Sequence, residues 1–196
     1  MGQLGQFERG RRFTKADYRD SGVPVIHYAE IYTEYGLATS ETVSYVRSEL
    51  KSSLRYAKTG DLAIACTGET KEDIAKPVVW EGEGPVAVHD DCAIFHTGDK
   101  VLPRYLAHCF QTASFSKVKQ GLATEGKNVR ISAARLASIK VPVPSLETQR
   151  KIVDVLDRFD ALTTSLTDGL PAEIATRRQQ YAYYRDKLLS FPRKAS

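Results

Sequence analysis

The sequence has few cysteines and no long hydrophobic run. Its three cysteines, Cys66, Cys92 and Cys109, are odd in number, widely spaced and set among apolar residues. We therefore expect buried free thiols in a reducing compartment rather than disulfides. No apolar run approaches the ~18 residues that cross a bilayer, and the first residues lack the basic and then apolar region of a secretory signal. These absences favour a cytoplasmic protein without membrane association.

Signatures of common enzyme classes are also missing. The sequence contains no G-x-G-x-x-G, no G-x-S-x-G and no Asn-Pro-Pro-Tyr methyltransferase signature. The segment from Gly121 to Asn128 is close to a phosphate loop, but Asn128 replaces the hydroxyl residue that would hold Mg²⁺, and a polar segment precedes the loop. The four histidines show no metal-ligand spacing with one another or with the cysteines. We therefore predict no catalytic residue, no cofactor and no metal site.

Charge is unevenly distributed along the chain, although the formal net charge is only +4. Residues 61–99 are strongly acidic, whereas residues 100–140 contain many lysines and arginines and a single acidic residue, Glu125. A second basic group lies near the N-terminus and consists of Arg9, Arg11, Arg12, Lys15 and Arg19. Such clustering suits contact with a nucleic-acid backbone, but charge alone fits a solvated surface about equally well.

Short apolar runs separated by Gly, Asp and Pro predict an irregular, β-rich globular domain over residues 1–144. The segments 103–112 and 115–120 have helical patterns, so the expected fold class is α+β. Strands are predicted at 23–28, 62–66, 75–80, 84–88, 92–96 and 129–132, with 31–35 packed beside the first of them.

A long amphipathic helical arm is predicted over residues 145–191, followed by a tail at 192–196. Ser145 is a good N-cap after two prolines that forbid a regular ladder, and Gly169-Leu170-Pro171 separates two helical runs. At about 1.5 Å per residue the arm spans roughly 65 Å, which favours a spacer or a coiled-coil dimerisation element. The expected dimerisation residues are Ile152, Leu156, Phe159, Leu162, Leu166, Ile174, Tyr181 and Leu188.

Several of these segments together carry a family likeness. They are Gly60-Asp61-Leu62 before a buried strand, Gly126 with residues 129–132, the run I-K-V-P-V-P-S-L-E-T-Q-R-K-I-V-D-V-L-D from Ile139, and the tail Y-Y-R-D-K-L-L. In this order they resemble the specificity subunit of type I restriction–modification systems over nearly the whole chain. The opening R-G-R-R-F-T-K from Arg9 is similar to the start of one of that family's target recognition domains.

The resemblance implies sequence-specific recognition of double-stranded DNA. The recognition subunit directs a partner adenine-N6 methyltransferase (the modification subunit) and, in the full complex, an endonuclease subunit. Members usually have two target recognition domains separated and followed by long antiparallel helices, whereas this chain has one of each. It is therefore either a half-subunit that self-associates or half of a longer polypeptide. A homodimer would place two identical recognition domains on a symmetric, interrupted target.

The hypothesis of a DNA-recognition subunit leads to predictions for individual DNA-contacting residues. Cationic side chains neutralise phosphates irrespective of sequence, and the expected backbone contacts are Arg11, Arg12, Lys15, Lys117, Lys119 and Lys127. Base-reading residues must be polar and lie on exposed loops, for which Thr67, Glu69 and Lys71 form one candidate loop.

Two alternatives from other functional classes stay open at this point. Glu125 and Lys127 form the E-x-K step found in many nucleases, and Asp90 or Asp91 could supply the further carboxylate of a metal-dependent stand-alone nuclease. Nothing in the sequence shows that these residues lie close together in the fold. The other alternative is a coiled-coil adaptor whose globular domain binds protein.

Overall fold

The computed structural model describes residues 1–158. A first compact unit extends from Met1 to Val153. It contains the whole globular domain predicted over residues 1–144 and, in addition, the start of the last helix. Its mixture of short strands and helices confirms the predicted α+β class. None of the helices in the described part of the chain combines the length and apolarity needed to cross a membrane.

The first sheet has five strands in the order β1–β11–β7–β9–β4. Their bounds are β1 (Gly5–Arg9), β4 (Ala38–Thr39), β7 (Leu62–Ala65), β9 (Pro77–Trp80) and β11 (Cys92–Thr97). β11 is antiparallel to both β1 and β7. Every residue of β7 is buried because the sheet is covered on both faces: Leu62 and Ile64 belong to one core cluster, and Ala63 and Ala65 to another.

The second sheet has the order β2–β5–β3–β10–β6. Its strands are β2 (Tyr18–Arg19), β3 (Val23–Ile26), β5 (Ser44–Val46), β6 (Tyr56–Ala57) and β10 (Val86–Val88). β3 lies parallel to β10, which places the end of β3 beside the turn that leads from β10 to β11. A separate two-stranded ribbon pairs β8 (Thr67–Gly68) with β12 (Val129–Arg130).

Four short helices accompany the strands. They are α1 (Tyr28–Thr33), α2 (Pro103–Phe110), α3 (Ala113–Leu122) and α4 (Ala133–Ser138), with 3₁₀ turns at Lys15–Asp17 and Ser48–Ser53. Three of the helices, α1, α3 and α4, have a side-chain N-cap. α2 begins with Pro103 in its first turn, where a missing N–H costs nothing. The Thr112 hydroxyl caps α3 by accepting the Phe115 N–H at 3.3 Å.

The prediction of a strand through residue 28 with residues 31–35 beside it is wrong. β3 stops at Ile26, and α1 follows at once because residues 27–30 form a reciprocal capping box. The His27 N–H donates to Glu30 Oε2 at 3.0 Å, and His27 Nδ1 accepts the Ala29 N–H at 3.3 Å.

The last helix, α5, starts at residue 146 and continues to residue 158, where the described residues end. Ser145 is its N-cap, as predicted, since its hydroxyl accepts the Thr148 N–H at 3.3 Å. Ile152 is partly buried and packs against the core of the first unit, and its role in dimerisation stays a prediction. The side chain of Leu156, also on α5, is partly buried. The other predicted dimerisation residues lie outside the described residues: Phe159, Leu162, Leu166, Ile174, Tyr181 and Leu188.

Candidate nucleic-acid interface

An arginine-lined cleft of about 290 Å³ lies where β1 leaves the first sheet. The chain turns here at Gly10, whose N–H donates to the Cys92 carbonyl at 3.1 Å. A Cβ at Gly10 would collide with the carbonyl oxygens of Val88 and His89, so this close approach requires glycine. The resulting cleft is lined by Arg9, Gly10, Arg11, Arg12, Arg55 and Asp90.

Two of the four arginines are held by carboxylates, and two are not. Arg9 Nη2 lies 3.3 Å from Asp90 Oδ2, and Arg55 Nε lies 3.2 Å from Glu8 Oε1. Arg11 and Arg12 are exposed, and within residues 1–158 neither makes an ion pair. Their guanidinium groups therefore remain available for a phosphate, which binds arginine through two parallel hydrogen bonds.

A second cleft, of about 440 Å³, adjoins the first and shares Arg9 and Asp90 with it. Its opposite wall comes from a distant part of the sequence and includes Arg130 on β12 and Arg135 on α4. The Arg130 side chain is 62% exposed, with Nη2 at 3.8 Å from Asp91 Oδ1. The structure thus brings the N-terminal basic group and the basic 100–140 segment to one surface, which we call the basic face (Arg9, Arg11, Arg12, Arg55, Lys127, Arg130 and Arg135).

Lys127 extends the basic face through a loop between α3 and β12. It lines a third cleft, of about 410 Å³, together with Arg130. In the same loop Glu125 Oε1 lies 2.6 Å from Lys71 Nζ, and this hydrogen bond lowers the pKa of the Glu125 carboxyl. The predicted base-reading residue Lys71 therefore already has an acidic partner, although at 38% and 69% exposure the pair is only weakly stabilising.

A polar cleft with aromatic side chains, of about 520 Å³, opens beside this loop. Its lining includes Tyr28 and Tyr32 on α1, and Glu69 and Asn128 next to the β8–β12 ribbon. Tyr32 donates its hydroxyl to the Thr67 carbonyl at 3.0 Å, and burial raises its pKa. Glu69 and Asn128 are exposed and offer the acceptor and amide groups that hydrogen-bond to base edges.

Thr67 is not placed as a base-reading residue. It is only 4% exposed, and its hydroxyl donates to Asp91 Oδ1 at 3.2 Å. Thr67 therefore holds the Asp91 carboxylate in the lining of the second cleft. Of the predicted loop, Glu69 alone is both exposed and without an ion pair among residues 1–158.

The prediction that Lys119 contacts a phosphate backbone is contradicted by its burial. Its side chain points inward beside Phe115 on the buried side of α3, and its Nζ donates to the carbonyls of Glu72 at 2.5 Å and Ile74 at 2.6 Å. Burial lowers the pKa of this ammonium. Lys117, two residues earlier, is exposed. Lys15 is also exposed, on the 3₁₀ turn after the arginine cleft.

One group of described residues has the spacing of metal ligands: His27, His89 and Asp91. The sequence spacing did not indicate it because β3 and the turn after β10 are far apart in the chain. Burial, and to a lesser extent the neighbouring His89, lowers the pKa of His27. Within residues 1–158 Glu125 belongs to no such group with Asp90 or Asp91, so the geometry gives the nuclease alternative no support.

Comparison with known proteins gives the same family by two routes, a family model and individual relatives. Residues 1–176 match the family described as "Type I restriction modification DNA specificity domain". The specificity subunit of the Escherichia coli restriction enzymes EcoR124I and EcoR124II is 38% identical over 109 residues, which are 56% of this chain and 27% of the relative. A Haemophilus influenzae protein assigned as a type I restriction enzyme specificity subunit is 30% identical over 198 residues, 97% of this chain and 47% of the relative.

Solved structures support the fold. A chain from a study of complex assembly and conformational transition of the type I R-M system has a TM-score of 0.66 at 19% identity, covering 92% of this chain and 42% of that one. The HsdS subunit from Thermoanaerobacter tengcongensis has a TM-score of 0.58 at 18% identity, covering 86% and 38%. The chain thus spans about half the length, or less, of these proteins. Given the family match over most of its length, this chain belongs to the type I restriction–modification DNA specificity domain family, whose relatives reported above are named specificity subunits.

Proposed function

We propose that this chain is a sequence-specific DNA-binding subunit acting in the cytoplasm, which directs a partner adenine-N6 methyltransferase subunit and, in the full complex, an endonuclease subunit. The observation that carries the proposal is the convergence of two basic segments on one face, with Arg11 and Arg12 unpaired in the described part of the chain. Such a face suits the negative surface of duplex DNA.

Two neighbouring regions divide the work of recognition. The basic face, together with exposed Lys15 and Lys117, contacts phosphates and fixes the position of the domain on the duplex, which carries no sequence information. The polar cleft presents Glu69 and Asn128 to base edges, where a carboxylate suits the amino group of cytosine and an amide suits adenine. Tyr28 supplies an aromatic wall to the same cleft.

Self-association completes the proposal. The chain carries one recognition domain and spans 47% of its Haemophilus influenzae relative. A homodimer formed through the arm would restore two domains related by a twofold axis, and its target would be a bipartite, symmetric sequence. Exposed Val155 on the described part of the arm is 52% accessible and is free to join such an interface.

The experiment is a salt titration of DNA binding, measured by fluorescence anisotropy with a duplex of mixed sequence. The variant Arg11→Ala with Arg12→Ala removes the two unpaired arginines. Each lost phosphate contact lowers the slope of log affinity against log salt by about 0.9, so the double variant should lower it by about 2. The charge-matched control, Lys51→Ala with Lys58→Ala, removes exposed lysines that line none of the clefts described above.

Equal slopes in the arginine variant and the wild type would overturn the assignment of the basic face. Absence of any salt-sensitive DNA affinity in the wild type would favour the protein-binding adaptor instead.

A further inference from the structure

Three side chains from two distant parts of the sequence lie close together, next to Asp90 of the arginine-lined cleft. His27 lies between β3 and α1, and His89 and Asp91 lie in the turn between β10 and β11. One ligand atom of each residue lies within 4.8 Å of those of the other two. We propose that His27, His89 and Asp91 bind one divalent transition-metal ion, of which Zn²⁺ is the most suitable by ligand chemistry.

The His89 ring is fixed in the orientation that a metal ligand needs. Its Nε2 lies 3.1 Å from the Phe13 carbonyl oxygen, which can only accept, so Nε2 carries the proton. Its Nδ1 is therefore a lone-pair acceptor, and it accepts the Asp91 N–H at 3.3 Å, a long hydrogen bond whose place a metal ion at Nδ1 would take. A ring N–H donated to a backbone carbonyl is the arrangement that orients metal-binding histidines.

Packing holds the ring in this position. His89 is 8% exposed. Its ring lies between Phe13, at 4.7 Å between ring centroids, and His27, at 4.6 Å. The two imidazoles are tilted by 57° to each other rather than stacked in parallel, so their nitrogen atoms can converge on one point.

Each of the other two residues has an atom that a metal ion could take. His27 Nδ1 holds the lone pair of the neutral ring, since it accepts the Ala29 N–H at the start of α1 at 3.3 Å, so Nε2 carries the proton. A metal ion would bind Nδ1 in place of this long, exposed hydrogen bond, or would bind Nε2 after the ring changes tautomer. Asp91 Oδ1 accepts the Thr67 hydroxyl at 3.2 Å, while Oδ2 is turned to His89 Nδ1 at 3.5 Å. Thr67 thus positions the carboxylate in the way that outer partners orient metal ligands.

The donor set indicates the class of metal. Two imidazole nitrogens and one carboxylate suit zinc and its neighbours, whereas Mg²⁺ and Ca²⁺ take oxygen ligands almost exclusively. Three protein ligands leave further coordination positions to water. An ion here would join the start of α1 to the β10–β11 turn, and it would offset the negative charge of Asp91 beside Arg130. We therefore expect metal binding to stabilise the fold and, given the proposed function, to strengthen DNA binding.

The test is a Co²⁺ titration of the whole chain in its metal-free form, followed by visible absorption, with displacement of the ion by Zn²⁺. The wild type should bind one equivalent. His27→Asn retains a good helix N-cap but removes the imidazole, and Asp91→Asn retains an acceptor for Thr67 but removes the carboxylate. Since loss of even an outer partner costs 10- to 100-fold in affinity, each ligand variant should bind at least about 100-fold more weakly.

Asp99→Asn is the matched control. It removes an equal charge at an exposed residue beyond the opposite end of β11 from Asp91, and it should leave the affinity unchanged. Zn²⁺ should also raise the Tm of the wild type and of this control, but not of His27→Asn.

Absence of a stoichiometric site in the wild type, or equal affinity in wild type and His27→Asn, would overturn the proposal. Neither measurement involves DNA, so its failure would leave the proposed function untouched. Conversely, loss of DNA binding in the arginine variant without loss of Co²⁺ would concern the basic face alone.

Discussion

The amide of Gln149 fastens the first turn of α5 to the rest of the first compact unit. Its side chain is completely buried. Oε1 accepts the Leu102 N–H at 2.8 Å, and Nε2 donates to the carbonyls of Lys100 at 3.1 Å and Pro144 at 2.9 Å. Gln149→Leu keeps a side chain of similar size and removes all three hydrogen bonds, so it isolates their contribution to stability.

The expected cost follows from what each partner loses. The Leu102 N–H is partly buried at the N-cap of α2 and would be left without a partner, which costs about 1–3 kcal/mol. Lys100 is exposed, so its carbonyl can turn to water, and that hydrogen bond is worth about 1 kcal/mol or less. The hydrogen bond to the carbonyl of half-buried Pro144 is worth about 1 kcal/mol. The added apolar surface of leucine offsets part of the loss. We therefore expect a decrease of roughly 2–4 kcal/mol in the free energy of unfolding.

Urea unfolding of the full chain, followed by far-UV circular dichroism, measures this quantity. Gln3→Leu is the matched control, since Gln3 is exposed and the same substitution there should change stability by less than about 0.5 kcal/mol. A Gln149→Leu variant as stable as this control would refute the reasoning that the buried amide fixes the start of α5.

Three further predictions concern charge and assembly. Lys117→Ala should weaken binding to all duplexes alike and lower the slope of log affinity against log salt, since Lys117 is exposed. Lys119→Met should lower the Tm and leave that slope unchanged, since the ammonium of Lys119 is buried. Fluorescence anisotropy and thermal unfolding of both variants test this pair of predictions. The hydrogen bond from Arg47 lowers the pKa of Asp17 from 3.8 to about 2, so its stabilisation is complete above pH 3.8 and is lost as pH falls through 2. The stability difference between wild type and Asp17→Asn should follow that course in acid denaturation, and a pH-independent difference would contradict it. Light scattering at several concentrations should give the mass of a dimer, and a persistent monomer would remove the prediction of a symmetric target.

Local signals in the sequence were sufficient for much of the fold. Apolar runs between Gly and Asp turns predicted the buried strands β7 and β11, because hydrophobic burial decides such segments regardless of their neighbours. The Ser145 N-cap gave the start of α5. The error at α1 arose because His27, a less usual cap, ends β3 and starts a helix that β-rich composition does not suggest.

The position of the candidate site depends on contacts between residues far apart in the sequence, which local sequence patterns do not predict. Arg9 and Arg130 share a cleft only because β1 pairs with β11 and β12 pairs with β8. The inward orientation of Lys119 had a signal, since it lies four residues after the buried Phe115 on the same face of α3. A lysine within a basic segment is normally solvated, so composition pointed the other way.

Sequence-specific DNA recognition by this chain is tested by selection from a randomised duplex library. The full chain is equilibrated with the library, and the bound duplexes are sequenced at two salt concentrations. We predict enrichment of one short interrupted motif, with overall retention falling steeply as salt rises. Retention without an enriched motif would mean that the basic face binds DNA non-specifically, and absence of retention would contradict DNA recognition itself.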